Sequence, residues 1–317
     1  MSTIRVGARR SPLAVAQATW VASRLEAAGY PSELVGIDTL GDVDRRRLTE
    51  IGGTGVFATA VRDGLLSGGV DVAVHSLKDL PVDPAPGLVV AATPTREDVR
   101  DVLVGLGVDE WRDGTRLGTG SPRRAVQLAE LARARGVEVE IVPIRGNVDH
   151  RIDLVRQGEV HATLLAAAGL RRLGRIPADL EGIGEVGVAS GSVRIELLEL
   201  SMMLPAAGQG CLGVECREDA DPALLTALAS IDDVDTHRAV SAERTFLKVL
   251  EAGCLAPVGA FAYISGSHLT LRAVAGRESG DAGLVRDELS GDAQDAVELG
   301  SALARRVLAL LGKDLDE

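Results

Sequence analysis

Residues able to carry chemistry recur where an apolar run gives way to a turn. His75-Ser76-Leu77-Lys78-Asp79-Leu80-Pro81 puts a hydroxyl, a cation and a carboxylate at the end of such a run, the edge at which open α/β sheets bind ligands. Lys78 is one of only three lysines, with Lys248 and Lys313, and an adjacent cation keeps a carboxylate ionised while it faces a developing positive charge. The same residues would equally make a solvated turn closed by proline. Gly118-Thr119-Gly120-Ser121-Pro122-Arg123-Arg124 opens a predicted helix. Its free backbone N–H groups, the hydroxyls of Thr119 and Ser121 and the pair Arg123 and Arg124 suit an anion; simple capping explains Ser121 but not the arginines. The loop lacks the G-x-x-x-x-G-K-[ST] spacing, which disfavours nucleotide hydrolysis.

Arg145-Gly146-Asn147-Val148-Asp149-His150-Arg151 repeats the arrangement, Arg9 sits at the equivalent place after the first apolar run, and Arg171-Arg172 follow Ala168-Gly169-Leu170. Each alone is an ordinary surface arginine. Together they point to a ligand with several carboxylates or phosphates. Cys254 falls in a loop between a predicted helix and a predicted strand, where reactive groups concentrate, although a lone cysteine is more often a small buried hydrophobe. Cys211 and Cys216 flank apolar residues and read as structural.

Composition narrows the ligand. A net charge of −12 argues against nucleic acid or an anionic membrane as partner, since phosphate backbones need a broad basic footprint. Arginine supplies 31 of the 34 basic residues. Three cysteines argue against a disulfide framework, and five scattered histidines without H-E-x-x-H or C-x-x-C spacing predict no metal. The absence of a long uncharged apolar stretch or secretory leader predicts a cytoplasmic protein.

The elements that must position these groups alternate. Ile4 and Val6 read as a strand, Gly7 to Arg10 as a turn, and Ser11-Pro12 as a cap and first helical residue. A strand at Leu34 to Ile37, a helix through Phe57, Val61 and Leu65 and a strand at Val70 to His75 follow, predicting a mostly parallel sheet under helices. The pattern restarts after Arg96-Glu97-Asp98, with strands at Val102 to Val104, Arg116 to Thr119, Val137 to Ile144 and Val160 to Leu165 and helices after Pro122 and around Val148, Ile152 and Val155. Leu204 to Glu215 returns the chain to the first unit. A helix at Ala242 to Glu251, strands at Val258 to Ile264 and His268 to Val274, a surface turn at Glu278 to Gly283 and a last amphipathic helix make a smaller α+β unit. The expected division is residues 1–95 with 211–229, 99–204, and 232–317, with 317 residues sufficient for several cores.

In this order the motifs resemble the porphobilinogen deaminase (hydroxymethylbilane synthase) family. The matching segments are Arg9-Arg10-Ser11-Pro12-Leu13-Ala14, His75 to Pro81, Gly118 to Arg124, Arg145 to Arg151, Ala168 to Gly174, Pro205-Ala206-Ala207-Gly208-Gln209-Gly210, Glu243-Arg244 and Gly253-Cys254. The resemblance implies two α/β domains built like the halves of periplasmic binding proteins around a cleft, plus a small α+β C-terminal domain. It implies a monomer that joins four porphobilinogen molecules into a linear tetrapyrrole with loss of ammonia, priming the chain on a dipyrromethane cofactor held by Cys254 through a thioether. It makes Asp79 the catalytic carboxylate, and Arg9, Ser11, Ser76, Lys78, Thr119, Ser121, Arg123, Arg124, Arg145, Arg151, Arg172 and Gln209 the binders of cofactor and substrate. Positive charge developing on a pyrrole nitrogen suits a fixed carboxylate, and pyrroles bearing acetate and propionate suit arginines. The chain departs from the family pattern where Gly53-Thr54-Gly55 and Thr59 replace loop lysines and Ala8 replaces a threonine; Arg45, Arg46 and Arg47 are the candidates to compensate. A non-catalytic polyanion-binding protein of periplasmic type is the alternative, and it leaves Cys254 and the last unit without a purpose. A phosphate-ester enzyme is disfavoured by the lack of a metal-ligand carboxylate set.

Overall fold

The computed structural model describes residues 3–38, 56–188, 191–250, 257–276 and 283–312. Within these, three sheets are formed. The first has the order β2-β1-β3-β11-β4, from β1 (Ile4–Arg9), β2 (Ser32–Ile37), β3 (Val72–Ser76), β4 (Leu88–Ala92) and β11 (Leu212–Arg217). The second has the order β7-β6-β8-β5-β10-β9, from β5 (Asp101–Gly105), β6 (Thr115–Gly118), β7 (Val139–Val142), β8 (Ala162–Ala166), β9 (Ile183–Val188) and β10 (Gly191–Leu197). The third is an antiparallel meander of β12 (Val258–Ser265), β13 (His268–Gly276) and β14 (Leu284–Asp292). The chain passes from the first sheet to the second between Ala92 and Asp101 and returns between Leu197 and Leu212.

The central strands β3, β5 and β8 are mostly apolar and buried because both faces of the sheets are covered there. In β3, Val72 and Val74 face a core shared with Val21 and Leu25 of helix α1 (Pro12–Ala27) and with Ala227 and Leu228 of α6 (Pro222–Ala229). Ala73 faces the opposite core, with Val61 and Leu65 of α2 (Val56–Leu66). The second sheet repeats the alternation. Val102 and Val104 pack with Ile152 of α4 (Val148–Arg156) and Leu170 of α5 (Ala167–Arg172), while Leu103 packs with Leu128 of α3 (Pro122–Ala134). In the third unit α7 (Val234–Val249) and α8 (Ala296–Leu311) share one face, where Phe246, Leu271 and Leu303 are fully buried. Truncating Phe246 to alanine there would cost about 3–5 kcal/mol.

The structure corrects several expectations. The first two sheets are mixed rather than mostly parallel, because β11 inserts antiparallel between β3 and β4, and β5, β9 and β10 make antiparallel pairs. Gly7 to Arg9 belong to β1 and not to a turn, since all pair in register with β2. Helix α7 starts at Val234, capped by Asp233 accepting from the Thr236 N–H at 2.8 Å, eight residues before the expected start. Strands β9, β10 and β14 carry no run of apolar residues long enough to stand out, because their outer faces meet water, whereas β4, the unbroken apolar run Leu88–Ala92, was simply not among the expected strands. Cys254, Thr54, Arg45, Arg46, Arg47 and all but the last residue of the expected turn from Glu278 to Gly283 lie outside the described residues.

Candidate functional site

Parallel pairing puts the carboxyl ends of neighbouring strands at one edge. In the first sheet that edge brings together Arg9 at the end of β1 and Ser76 at the end of β3. In the second, parallel β6, β7 and β8 end at Gly118, Val142 and Ala166, so Thr119, Ser121, Arg145 and Arg172 follow from one side. Ser11, Ser121 and Asn147 cap α1, α3 and α4, accepting from the N–H groups of Ala14, Arg124 and His150 at 3.4, 3.5 and 2.9 Å. Thr119 Oγ1 accepts from Ser121 N–H at 3.1 Å. The two sets face each other: Leu13 of α1 lies 3.8 Å from where a Cβ on Gly169 of α5 would stand.

Asp79 ends a single 3-10 turn, Leu77–Asp79, and is exposed. Lys78 beside it is half-buried and donates to Gln209 Oε1 at 3.4 Å. Burial draws the Lys78 ammonium down to about 8, with Arg124 and Arg123 pushing the same way and Asp79 and Asp101 opposing. Burial also lowers the Arg151 guanidinium to about 10, where Arg124 and Arg145 repel it and Asp79 attracts it. Lys78, Asp79, Arg124, Arg145 and Arg151 therefore act on one another in a single electrostatic cluster, with Arg145 exposed. Arg151 Nε is tied to the Gly146 carbonyl at 2.9 Å.

A fully buried carboxylate, Asp101, organises the cluster from below. Its Oδ2 accepts from Arg123 at 2.8 Å, and its Oδ1 from Arg124 at 2.7 Å and from the Gln209 amide at 2.9 Å. Burial by itself would raise this carboxyl, but the two guanidinium charges and their hydrogen bonds hold it far below the usual range. Arg123 also donates to the Leu204 carbonyl and Arg124 to that of Leu164. Arg172 lies off the cluster, held by the Gly210 carbonyl at 2.6 Å, and Ser76 shares hydrogen bonds with Gln17. Gly208 and Gly210 take φ of +71° and +85°; a side chain on Gly208 would meet Lys78 N at 3.2 Å, and one on Gly210 would strike the Glu97 carbonyl.

Known proteins decide which anion-handling chemistry this is. Residues 4–224 match the family model "Porphobilinogen deaminase, dipyromethane cofactor binding domain" and residues 237–309 match "Porphobilinogen deaminase, C-terminal domain". The chain belongs to the porphobilinogen deaminase family. Porphobilinogen deaminase 1 of Streptomyces coelicolor is 49% identical over 319 residues, covering 96% of this chain and 95% of its own. The Nocardia farcinica porphobilinogen deaminase is 45% identical over 324 residues, covering 98% and 87%. Among solved structures, a methionine binding protein aligns at TM-score 0.41 and 12% identity over 76% of this chain and 94% of its own, a likeness too slight to carry weight. The chain is thus a transferase of tetrapyrrole biosynthesis with a dipyrromethane-binding domain, and a purely ligand-binding role is not favoured.

The donor set fits that polycarboxylate cofactor. The Nε–H groups of Arg123 and Arg124 are buried with no acceptor among the described residues, and Lys78 and Arg151 are cations weakened by burial. A carboxylate brought among them would satisfy the former and offset the burial that disfavours the charge of the latter. A sizeable cavity, about 760 Å³, lies elsewhere, between Arg96 to Arg100, Glu199 to Ser201 and the Phe261 and Tyr263 rings. Among the described residues no group of side chains is arranged to hold a metal ion, and no helix is long and apolar enough to cross a membrane.

Sequence reasoning missed the roles of three residues, one of which, Glu243, entered it only as part of a matching motif. Asp101 was hidden at the start of an apolar strand. Arg96 was read as part of a charged connection, yet it forks onto fully buried Glu243 at 2.6 and 3.0 Å and reaches the Gln209 carbonyl at 2.9 Å. Glu243 also accepts from Gly208 and Ala262 N–H at 2.6 and 2.7 Å, joining both crossings between the sheets to the third unit. An acidic residue on an otherwise inward helix face was the available signal.

Proposed function

We propose that this chain condenses four porphobilinogen molecules stepwise with release of four ammonia molecules, water then freeing the product as hydroxymethylbilane, with Asp79 as the catalytic carboxylate and Cys254 as the attachment point of the cofactor. The observation that carries the reading is one exposed carboxylate, Asp79, attracting both Lys78 and Arg151 at the facing edges of two sheets, with Arg124 repelling both of these cations and Arg145 repelling Arg151. The three sheets are taken as the centres of three domains, at 1–95 with 211–229, 99–204 and 232–317, in a monomeric cytoplasmic enzyme.

The dipyrromethane, when bound, would supply the free pyrrole α-carbon that takes the first unit, and each later unit would join the terminal pyrrole of the chain so begun. Lys78, Arg124, Arg145 and Arg151 bind acetate and propionate groups, and Arg9, Arg123 and Arg172 extend that set along the strand ends. Ser11, Ser76, Thr119 and Ser121 offer hydroxyls at the same edge, and Gln209 holds Lys78 and Asp101 in place. Asp79 faces the pyrrole nitrogen as positive charge develops on loss of ammonia, stabilises that charge, and takes up the proton released when the new bond forms. A carboxylate is needed there because a neutral side chain offers neither the charge nor the proton acceptor.

Intact mass tests the attachment, with a covalent excess over the sequence mass expected in the wild type and absent from Cys254→Ala. Asp79→Ala is expected to keep the mass excess and the fold and to lose turnover. An unmodified wild-type chain after incubation with porphobilinogen, or near-normal turnover by Asp79→Ala, would refute the corresponding assignment.

A further inference from the structure

We propose that Arg244 is the positioning residue for the Asp79 carboxylate, acting through the backbone of the turn that carries it; the proposal rests on the assignment of Asp79 above. A lone 3-10 turn has little stability of its own, with poor hydrogen-bond geometry and unsatisfied carbonyls at its end. Here the internal bond is Leu80 N–H to the Leu77 carbonyl, at 3.2 Å. The carbonyls around it are gathered by one guanidinium from the third unit. Arg244 Nη1 donates to Leu80 O at 3.1 Å and to Leu77 O at 3.5 Å, and Nη2 donates to Pro81 O at 2.6 Å. One planar fork thus spans both ends of the segment containing Asp79, which a single ammonium cannot do.

The packing makes this grip rigid. Val240, one helical turn before Arg244 on α7, is buried in a small core with Leu77, Leu80 and Cys211, so α7 lies directly beneath the turn. Glu243, immediately before Arg244, is fully buried and anchored by Arg96, Gly208 and Ala262. On the far side Gly208 closes against Lys78 N and Leu77. Helix α7 therefore fixes the turn and the crossing segments through neighbouring residues, and its last residue, Val249, is five positions before Cys254. The reaction needs the carboxylate fixed relative to the reacting pyrrole, and a displacement near 1 Å costs on the order of 100-fold in rate. The carboxylate's distance to its substrate, and not the affinity for substrate carboxylates, is what Arg244 sets.

The test compares Arg244→Gln and Arg244→Lys in the wild-type and Asp79→Glu backgrounds, with rates normalised to the cofactor-loaded fraction from intact mass. Arg244→Gln is expected to lower kcat by about 10- to 100-fold with KM within about twofold and with faster amide hydrogen exchange in residues 77–82. Arg244→Lys should fall between, and in the Asp79→Glu background the Arg244→Gln penalty should shrink to under about threefold, as expected for residues acting as a unit. A kcat within about twofold of wild type, a change confined to KM, or an equal loss in both backgrounds would overturn the proposal. Full activity of Asp79→Glu and Asp79→Ala would instead remove the Asp79 assignment itself. If Arg244→Gln does not fold, Arg244→Lys carries the same comparison.

Discussion

Asp101→Asn is the substitution with the most to say about how this site is built. Both carboxylate oxygens are engaged by donors, Oδ1 by Arg124 and Gln209 and Oδ2 by Arg123, so an amide in either orientation sets an NH₂ group against a guanidinium. It also leaves two arginines, each under 10% exposed, without their counter-charge. Breaking a buried ion pair by removing one partner costs about 3–5 kcal/mol, and with two cations stranded the upper half of that range is expected. That corresponds to roughly a thousandfold in the ratio of folded to unfolded chains, at about 1.4 kcal/mol per factor of ten. Urea unfolding followed by tryptophan fluorescence reports it, because Trp111 is buried in the same half of the molecule, against the Leu128 face of α3. The gap between wild type and variant should hold from about pH 5 to 8. Asp101 has its carboxyl lowered on folding, so its contribution is present above the ordinary aspartate value near 4 and fades as pH falls below it. A loss below about 1 kcal/mol at pH 7 would refute the reasoning, since the arginines would then be held by Leu204 and Leu164 alone.

Three further outcomes follow from named contacts. Glu215 is buried, takes a bidentate fork from Arg62 at 2.7 and 3.0 Å and lies 3.0 Å from His75 Nε2. Burial opposes its ionisation, but these partners hold it at about 2. Glu215→Gln should therefore cost about 3 kcal/mol at pH 7, with the difference closing as pH falls from about 4.5 towards 2 in acid-denaturation curves. Lys78, drawn down to about 8, should lose its charge in the free enzyme above that pH. The value of kcat/KM for porphobilinogen should then fall between pH 8 and 9, and Lys78→Arg should remove that inflection. Folding stability changes the opposite way, because a lysine lowered on folding binds fewer protons in the native state and so favours folding as pH rises from about 8 to 10.5. Gly208→Ala, at φ +71° and against Lys78 N, should cost about 1–2 kcal/mol in thermal unfolding and lower turnover by shifting the Asp79 turn; unchanged turnover would show that the turn tolerates movement.

Much was legible in the sequence because it is local. The caps Ser11, Ser121 and Asn147 and the prolines after the first two act within one helical turn, so three helix starts and the strands before them could be read from spacing. The arginines clustered at those starts named the ligand's charge, and the order of motifs named the family. What the one-dimensional pattern lacked was contact at a distance. Asp101 and Gln209 are 108 positions apart, Arg96 and Glu243 147, Arg244 and Pro81 163. The value of each depends on burial and on a partner brought up by a different sheet, and residue type says nothing of either. The antiparallel insertion of β11 between β3 and β4 was likewise invisible, since an apolar strand buried on both faces reads the same in either direction. Sequence alone thus determined those three helix starts, the polyanionic character of the partner and the candidate carboxylate. Tertiary structure alone decided that Arg151 acts on Asp79 beside Lys78, because Arg151 and Asp79 are 72 positions apart and only the packing of one sheet edge towards the other sets the separation of their charges.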